Sequence, residues 1–213
     1  MAIKPRVFVT VRNTKRPQRA KSPYIDGCFE AMGVLGSVYI NSQIPSSSGL
    51  GSSAAVTVAT LSAINDEFSL HKTREDIADM AFEIEKKVQK GRASPTDTTV
   101  SMYGGIVLIT GGSRRRLPPQ NLHLVIGDSL VSHSTAKMVE LVGDFKKKHP
   151  GIVDPILDAI QGVSMSAIHH LNNPKELGLF IDMNHALLEA LGVGHPQLSK
   201  IVLAARAQGA FGA

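Results

Sequence analysis

From Arg6 to Val11 (RVFVTV) apolar and polar positions alternate with β-branched residues among them, a period of two that predicts a half-buried strand. Residues 12–22 are polar and basic and read as a loop. The stretch Pro23–Gly36 has room for a short helix, and Ser37–Ile44 (SVYINSQI) reads as a second strand. Pro45 and a run of serines then mark a turn. From Ser52 to Phe68 the apolar positions Ala54, Ala55, Val58, Ala59, Leu61, Ile64 and Phe68 recur at helical spacing. A further helix opens with Thr73 and Asp76 at capping-box spacing and carries one stripe of Ile77, Met80, Ala81, Ile84 and Val88, with Gly91 placed to close it.

Beyond that helix, ASPTDT reads as a turn, and Val100–Gly112 (VSMYGGIVLITGG) as a tight turn into a strand. The basic, proline-bearing stretch Ser113–Gln120 differs from its flanks and predicts a domain boundary, which divides the chain into 1–117 and 118–213. Leu122–Asp128 (LHLVIGD) predicts a strand. Helices follow over Thr135–Lys148, Ile152–Leu171, Lys175–Leu191 and Gln197–Gln208.

Composition narrows the function classes. With 213 residues, 43% of them hydrophobic, the chain can bury a core. A net charge of +5 suits anionic ligands, phosphorylated metabolites as well as nucleic acid. Aromatic residues make up only 5% and Trp is absent, so stacking platforms are poorly provided and no nucleic-acid partner is expected. The single cysteine, Cys28, allows no internal disulfide, which favours a reducing, cytoplasmic setting. No uninterrupted apolar run approaches the length of a membrane helix, and no membrane association is expected.

The stretch IPSSSGLGSSAAVTV (Ile44–Val58) holds the densest chemistry. Glycines at 49 and 51 permit close backbone approach, and the helix beginning at Ser52 and Ser53 presents unpaired N–H groups at the positive end of its dipole, an anion site. A Walker A loop is excluded because no Lys precedes the serines. Gly49, Gly51 and Ala54 fit a dinucleotide-binding turn, but the acidic residues at the required distance, Asp66 and Glu67, end a helix rather than a second strand. A plain linker with a serine cap accounts for one serine and one glycine only.

Two carboxylates stand out. Glu85 lies about 80° from the centre of its helix's apolar stripe, so it borders the buried face, either as a boundary residue or as a metal ligand. Asp97, set between threonines after a proline, is either a turn residue or the carboxylate that orients an attacking hydroxyl in phosphoryl transfer. The eight histidines show no metal-ligand spacing. Arg114–Arg116 and Lys146–Lys148 read as solvated faces.

PSSSGLGSSAA closely resembles the second motif of the GHMP kinases, a loop that carries a triphosphate on backbone N–H groups without a Walker lysine. Within that family, EIEKKVQKGRASPTDTTVSMYGG and FIDMNHALLEALGVGHPQLSKIVLAARAQGAFGA look like the mevalonate kinases, the archaeal ones in particular. The resemblance implies ATP and Mg2+ as cofactors and mevalonate as the small-molecule substrate, phosphorylated on its 5-hydroxyl in isoprenoid precursor synthesis. It places Pro45, Ser48, Gly49, Leu50, Gly51, Ser52, Ser53 and Ala54 at the ATP phosphates, Ser53 and Glu85 on the metal, Asp97 as catalytic base or orienter, and Thr135, in SHSTAKMV, near the substrate. The spacing from Glu85 to Asp97 is one residue longer than the family's usual pattern.

The implied fold is α+β: a GHMP kinase two-domain fold, with a ribosomal S5-like ATP-binding domain over 1–117 and a ferredoxin-like domain over 118–213. Both are expected to be incomplete, because the family's lysine-bearing first motif and glycine-rich third motif are not in this sequence. A fragment of lowered stability is therefore expected, with a homodimer left open. Alternatives are another small-molecule kinase of the family, for phosphomevalonate or homoserine, or a catalytically inactive nucleotide-binding fragment.

Overall fold

A computed structural model describes residues 1–46, 48–131 and 135–213. Its contacts divide it into two compact units, Met1–Pro119 and Gln120–Ala213.

In the first unit the period-two segment becomes β1 (Val7–Asn13), which pairs antiparallel with β2 (Gly36–Ser42) in a register that sets Val9 opposite Ile40 and Val11 opposite Val38. The connecting α1 (Pro23–Met32) starts on a proline, whose missing N–H costs nothing in a first turn. It ends at Gly33, whose φ of 65° lets its N–H reach back to the Glu30 and Phe29 carbonyls. Next come α2 (Ser52–Glu67) and α3 (Arg74–Val88). In α3 the Thr73 side chain takes the Asp76 N–H, and the Asp76 carboxylate takes the Thr73 N–H in return.

The core gathers Val11, Val38, Ile25, Cys28, Phe29, Leu61, Ile64, Ile77, Ala81 and Ile84 between the ladder and helices α1 to α3. Leu61 and Ile64 are fully buried, a stabilisation of about 2 kcal/mol each from removing apolar surface from water. Cys28 is fully buried as well, its Sγ 3.6 Å from the Thr57 carbonyl oxygen.

Three expectations are corrected. The turn expected at ASPTDT is the start of α4 (Thr96–Tyr103), which packs on α2 and α3; its polar, β-branched sequence gives little intrinsic helicity, so packing decides. The basic stretch Arg114–Arg116 is no linker face. It forms β4 (Ser113–Arg116), paired antiparallel with β3 (Val107–Thr110), with the Arg114 guanidinium 2.7 Å from Asp79 Oδ1.

The third correction concerns the second unit. Leu122–Asp128 has no ladder partner, and no strand occurs among that unit's described residues. The segment keeps strand-like chemistry, with Val125 fully exposed, but lacks the neighbour a strand needs. Helices α5 (Thr135–Lys148), α6 (Pro150–Ile168), α7 (Pro174–Ala190) and α8 (Pro196–Ala207) follow. Among the described residues of this unit, Val153, Val163 and Leu191 are the buried apolar ones. Gly178 of α7 lies against Phe211 and Gly212 with no room for a Cβ, and Asp182 accepts the Ala213 N–H at 3.0 Å while pairing with Arg206 at 3.2 Å.

Candidate active site

The loop between β2 and α2 is shaped by its own side chains. Ser42 Oγ donates to the Ile44 carbonyl at 3.0 Å, and Ser48 Oγ donates to the Pro45 carbonyl at 2.9 Å. Ser47, expected to serve loop geometry, lies outside the described residues. Gly49 and Gly51 take φ of 74° and 67°, the left-handed region a side chain disfavours.

Helix α2 starts at Ser52 with Gly51 as its N-cap and no side-chain cap. Its first recorded backbone bond is Ala55 N–H to the Gly51 carbonyl at 3.0 Å, which leaves the N–H groups of Ser52, Ser53 and Ala54 ahead of the helical ladder. A serine-capped linker would have spent its hydroxyls on those groups. Here the hydroxyl of Ser53 turns elsewhere, donating to Glu85 Oε1 at 2.8 Å.

Glu85 is 4% exposed, buried on the side of α3 that its stripe position predicts. Burial pushes its carboxyl above the usual carboxylate range; the Ser53 hydrogen bond opposes this, and the negative charge of Asp97 adds to it.

Asp97 sits in the first turn of α4 and is solvent-exposed. A Cβ on Gly51 would lie 3.2 Å from Asp97 Cγ and 3.3 Å from its Oδ2, so the carboxylate rests against the cradle's last glycine. Gly51 is therefore required twice, by its φ and by this approach. A cavity of about 450 Å3 opens at the same place, lined by Gly49, Leu50, Gly51 and Asp97 and by the small and apolar positions Ala55, Val58 and Ala59 of α2.

Arg6, Ser62 and Ser101 also line the cavity, and sequence reading did not single them out. Helical spacing carried the signal for two of them: Ser62 is three residues past Ala59, and Ser101 is four past Asp97. Arg6 gave no local signal. Thr135 belongs to the second unit, where it opens α5; the preceding Ser132, His133 and Ser134 lie outside the described residues.

The residues fit a magnesium nucleotide. The Ser53–Glu85 pair stands at the uncapped start of α2 and Asp97 rests against Gly51, while Ser53 and Glu85 are not among the cavity's described lining; among the described residues no cluster of three His, Cys, Asp or Glu could hold a metal alone. Mg2+ suits such a set, since it takes one or two carboxylates and completes its shell with phosphate oxygens and water.

Residues 23–105 match the family model described as GHMP kinases N terminal domain. A mevalonate kinase of Pyrococcus abyssi is 39% identical over 184 residues, 83% of this chain and 55% of that one. One of Methanothermobacter thermautotrophicus is 34% identical over 209 residues, covering 94% of this chain and 67% of that one. Among solved structures, mevalonate kinase of L. major in complex with R-mevalonate superposes with a TM-score of 0.78 at 22% identity, covering 98% of this chain and 72% of the other, a likeness of fold. The chain thus spans about half the length of the Pyrococcus relative. The family model over residues 23–105, and a relative two thirds of whose length the chain covers, put this chain in the GHMP kinase family, alongside the archaeal mevalonate kinases.

Proposed function

We propose that the protein transfers the γ-phosphoryl group of ATP to the 5-hydroxyl of mevalonate. One observation carries the reading: the Ser53–Glu85 hydrogen bond and the Asp97 carboxylate converge on the uncapped start of α2. The identity of the relatives supplies the substrate.

In this reading the backbone from Gly49 to Ala54 receives the ATP phosphates, with the N–H groups of the first turn of α2 aimed at them and Pro45, Ser48 and Leu50 holding the loop's course. Ser53 and Glu85 would hold Mg2+. Bound there, the ion supplies positive charge against the phosphate oxygens. Its arrival also relieves the burial cost of an ionised Glu85. Asp97, open to the cavity, accepts a hydrogen bond from the 5-hydroxyl, orients it in line with the phosphoryl group and takes its proton as the bond forms. Thr135 contacts the substrate, and the setting is cytoplasmic.

The test offers the protein ATP and Mg2+ with mevalonate, phosphomevalonate, homoserine or galactose and measures ADP release. Release with mevalonate alone is expected. Release with another acceptor in preference to mevalonate overturns the substrate, and ATP binding without release for any acceptor favours an inactive nucleotide-binding fragment.

A further inference from the structure

The face of the β1–β2 ladder turned away from the core carries side chains that the kinase reading leaves unused. By register, Phe8 stands opposite Asn41, Thr10 opposite Tyr39 and Arg12 opposite Ser37, so Phe8 and Tyr39 are diagonal neighbours on one face. They are 53% and 52% exposed. The Arg12 guanidinium lies 5.9 Å from the centroid of the Tyr39 ring.

The basic loop after β1 is tied back beside this face. Gln18 N–H donates to Ser37 Oγ at 2.8 Å, Val38 N–H donates to the Gln18 carbonyl at 3.1 Å, and Arg19 stacks 4.2 Å over the Phe29 ring. Lys15, Arg16 and Lys21 remain exposed. Neither they nor Arg12 enter an ion pair among the described residues. At this end of the ladder Glu67 accepts the Asn13 N–H at 2.8 Å. Residues 1–25 hold seven Lys and Arg and no Asp or Glu, so the whole net charge of +5 originates there.

We propose that this face binds single-stranded nucleic acid, with bases stacked on Phe8 and Tyr39 and the phosphate backbone tracked by Arg12, Lys15, Arg16 and Lys21. Charge complementarity selects a polyanion, and two half-exposed rings on one face of the ladder select one with unpaired bases, since the bases of a duplex are already stacked on each other. A lipid surface would call for a continuous apolar face beside the cations, and here Thr10, Ser37 and Asn41 interrupt it. Composition argued against such a partner because rings are scarce. Here, though, Phe8 and Tyr39 hold diagonal register positions on one exposed face.

The test uses the full chain and a fluorescein-labelled oligouridine of about twelve nucleotides, followed by anisotropy against salt. Binding is expected to survive saturating Mg-ATP and to exceed binding of a duplex of equal length. Phe8→Ala and Tyr39→Ala should each weaken it roughly 5- to 100-fold at an unchanged salt slope. Lys15→Ala with Arg16→Ala should shallow the slope of log K against log salt by about 1.4. Tyr39→Leu keeps apolar area without a π face, so at unchanged Tm its loss of binding supports stacking and wild-type binding refutes it. The proposal also fails if ATP displaces the oligonucleotide, if duplex binds as well and the ring variants are neutral, if phosphatidylserine vesicles bind through the rings while the oligonucleotide does not, or if nothing binds at low salt.

Discussion

At the scale of single residues, Asp97 and Glu85 are both carboxylates, one against Gly51 and one bonded to Ser53, and their surroundings separate them. Asp97 is open to the cavity and free to meet a hydroxyl. Asp97→Asn should therefore cut kcat by about 100- to 10,000-fold while Mg-ATP still binds, measured by single-turnover phosphorylation beside calorimetric titration with ATP. Loss of ATP binding with turnover per bound ATP preserved would refute that role.

Glu85 is enclosed, and its folded-state pKa stands above the unfolded value because burial penalises the ionised form. Between the unfolded and folded values the native state holds more protons than the unfolded one, so stability falls as pH rises through that interval and levels off above it. Without metal or nucleotide, Glu85→Gln should raise Tm at pH 7, with a gain that shrinks as pH falls through the raised folded value and vanishes below the ordinary carboxylate one. A gain that stays constant with pH in thermal melts would show that burial of the charge is not its origin. The same variant should lose the Mg2+-dependent part of ATP affinity.

At the scale of elements, caps decide where helices begin, and the first unit contains both extremes. Helix α3 has a complete capping box, whereas α2 has none. Thr73→Ala should lower unfolding free energy by about 1 kcal/mol in urea titration, and no measurable change would mean that packing alone sets the start of α3. The Thr73 bonds also hold the Asp76 carboxyl below its usual range. Their contribution is present above the ordinary carboxylate value and is lost as pH falls through the lowered one.

This contrast explains how much sequence could reveal. Helices with a periodic stripe and explicit caps were legible nearly to the residue, and so was the position of Glu85 at the edge of its stripe. Helix α4 was not, because Thr96, Asp97, Thr98 and Thr99 favour turns locally and become helical by packing on α2 and α3. Nor was the fate of Leu122–Asp128, since a strand is defined by a neighbour that its own pattern cannot reveal. The approach of Asp97 to Gly51 joins residues 46 positions apart, a relation that no local spacing encodes.

At the scale of the whole molecule, cohesion is uneven. The first unit closes a continuous apolar cluster, while the second buries few side chains and leaves Val125 and Leu130 at 100% and 88% exposure. Among the described residues, the backbone of 118–131 makes only local bonds, Leu130 N–H to Asp128 Oδ1 and Val131 N–H to Ser129 Oγ. Brief chymotrypsin digestion should cut there first, at Leu122, Leu124 or Leu130, giving two fragments that mass spectrometry can size. First cuts inside α2 or α3 would contradict this picture.

The sealed thiol of Cys28 turns this unevenness into something measurable. Burial pushes its pKa up to about 12, so at neutral pH it is protonated as well as inaccessible, and reagents that need a thiolate find none until α1 parts from α2. Because it is the chain's single cysteine, the rate of thiol labelling is a private clock for the opening of the first unit. Timed with and without Mg-ATP, that clock reads how far a filled cradle tightens the core behind it, whatever the second unit is doing.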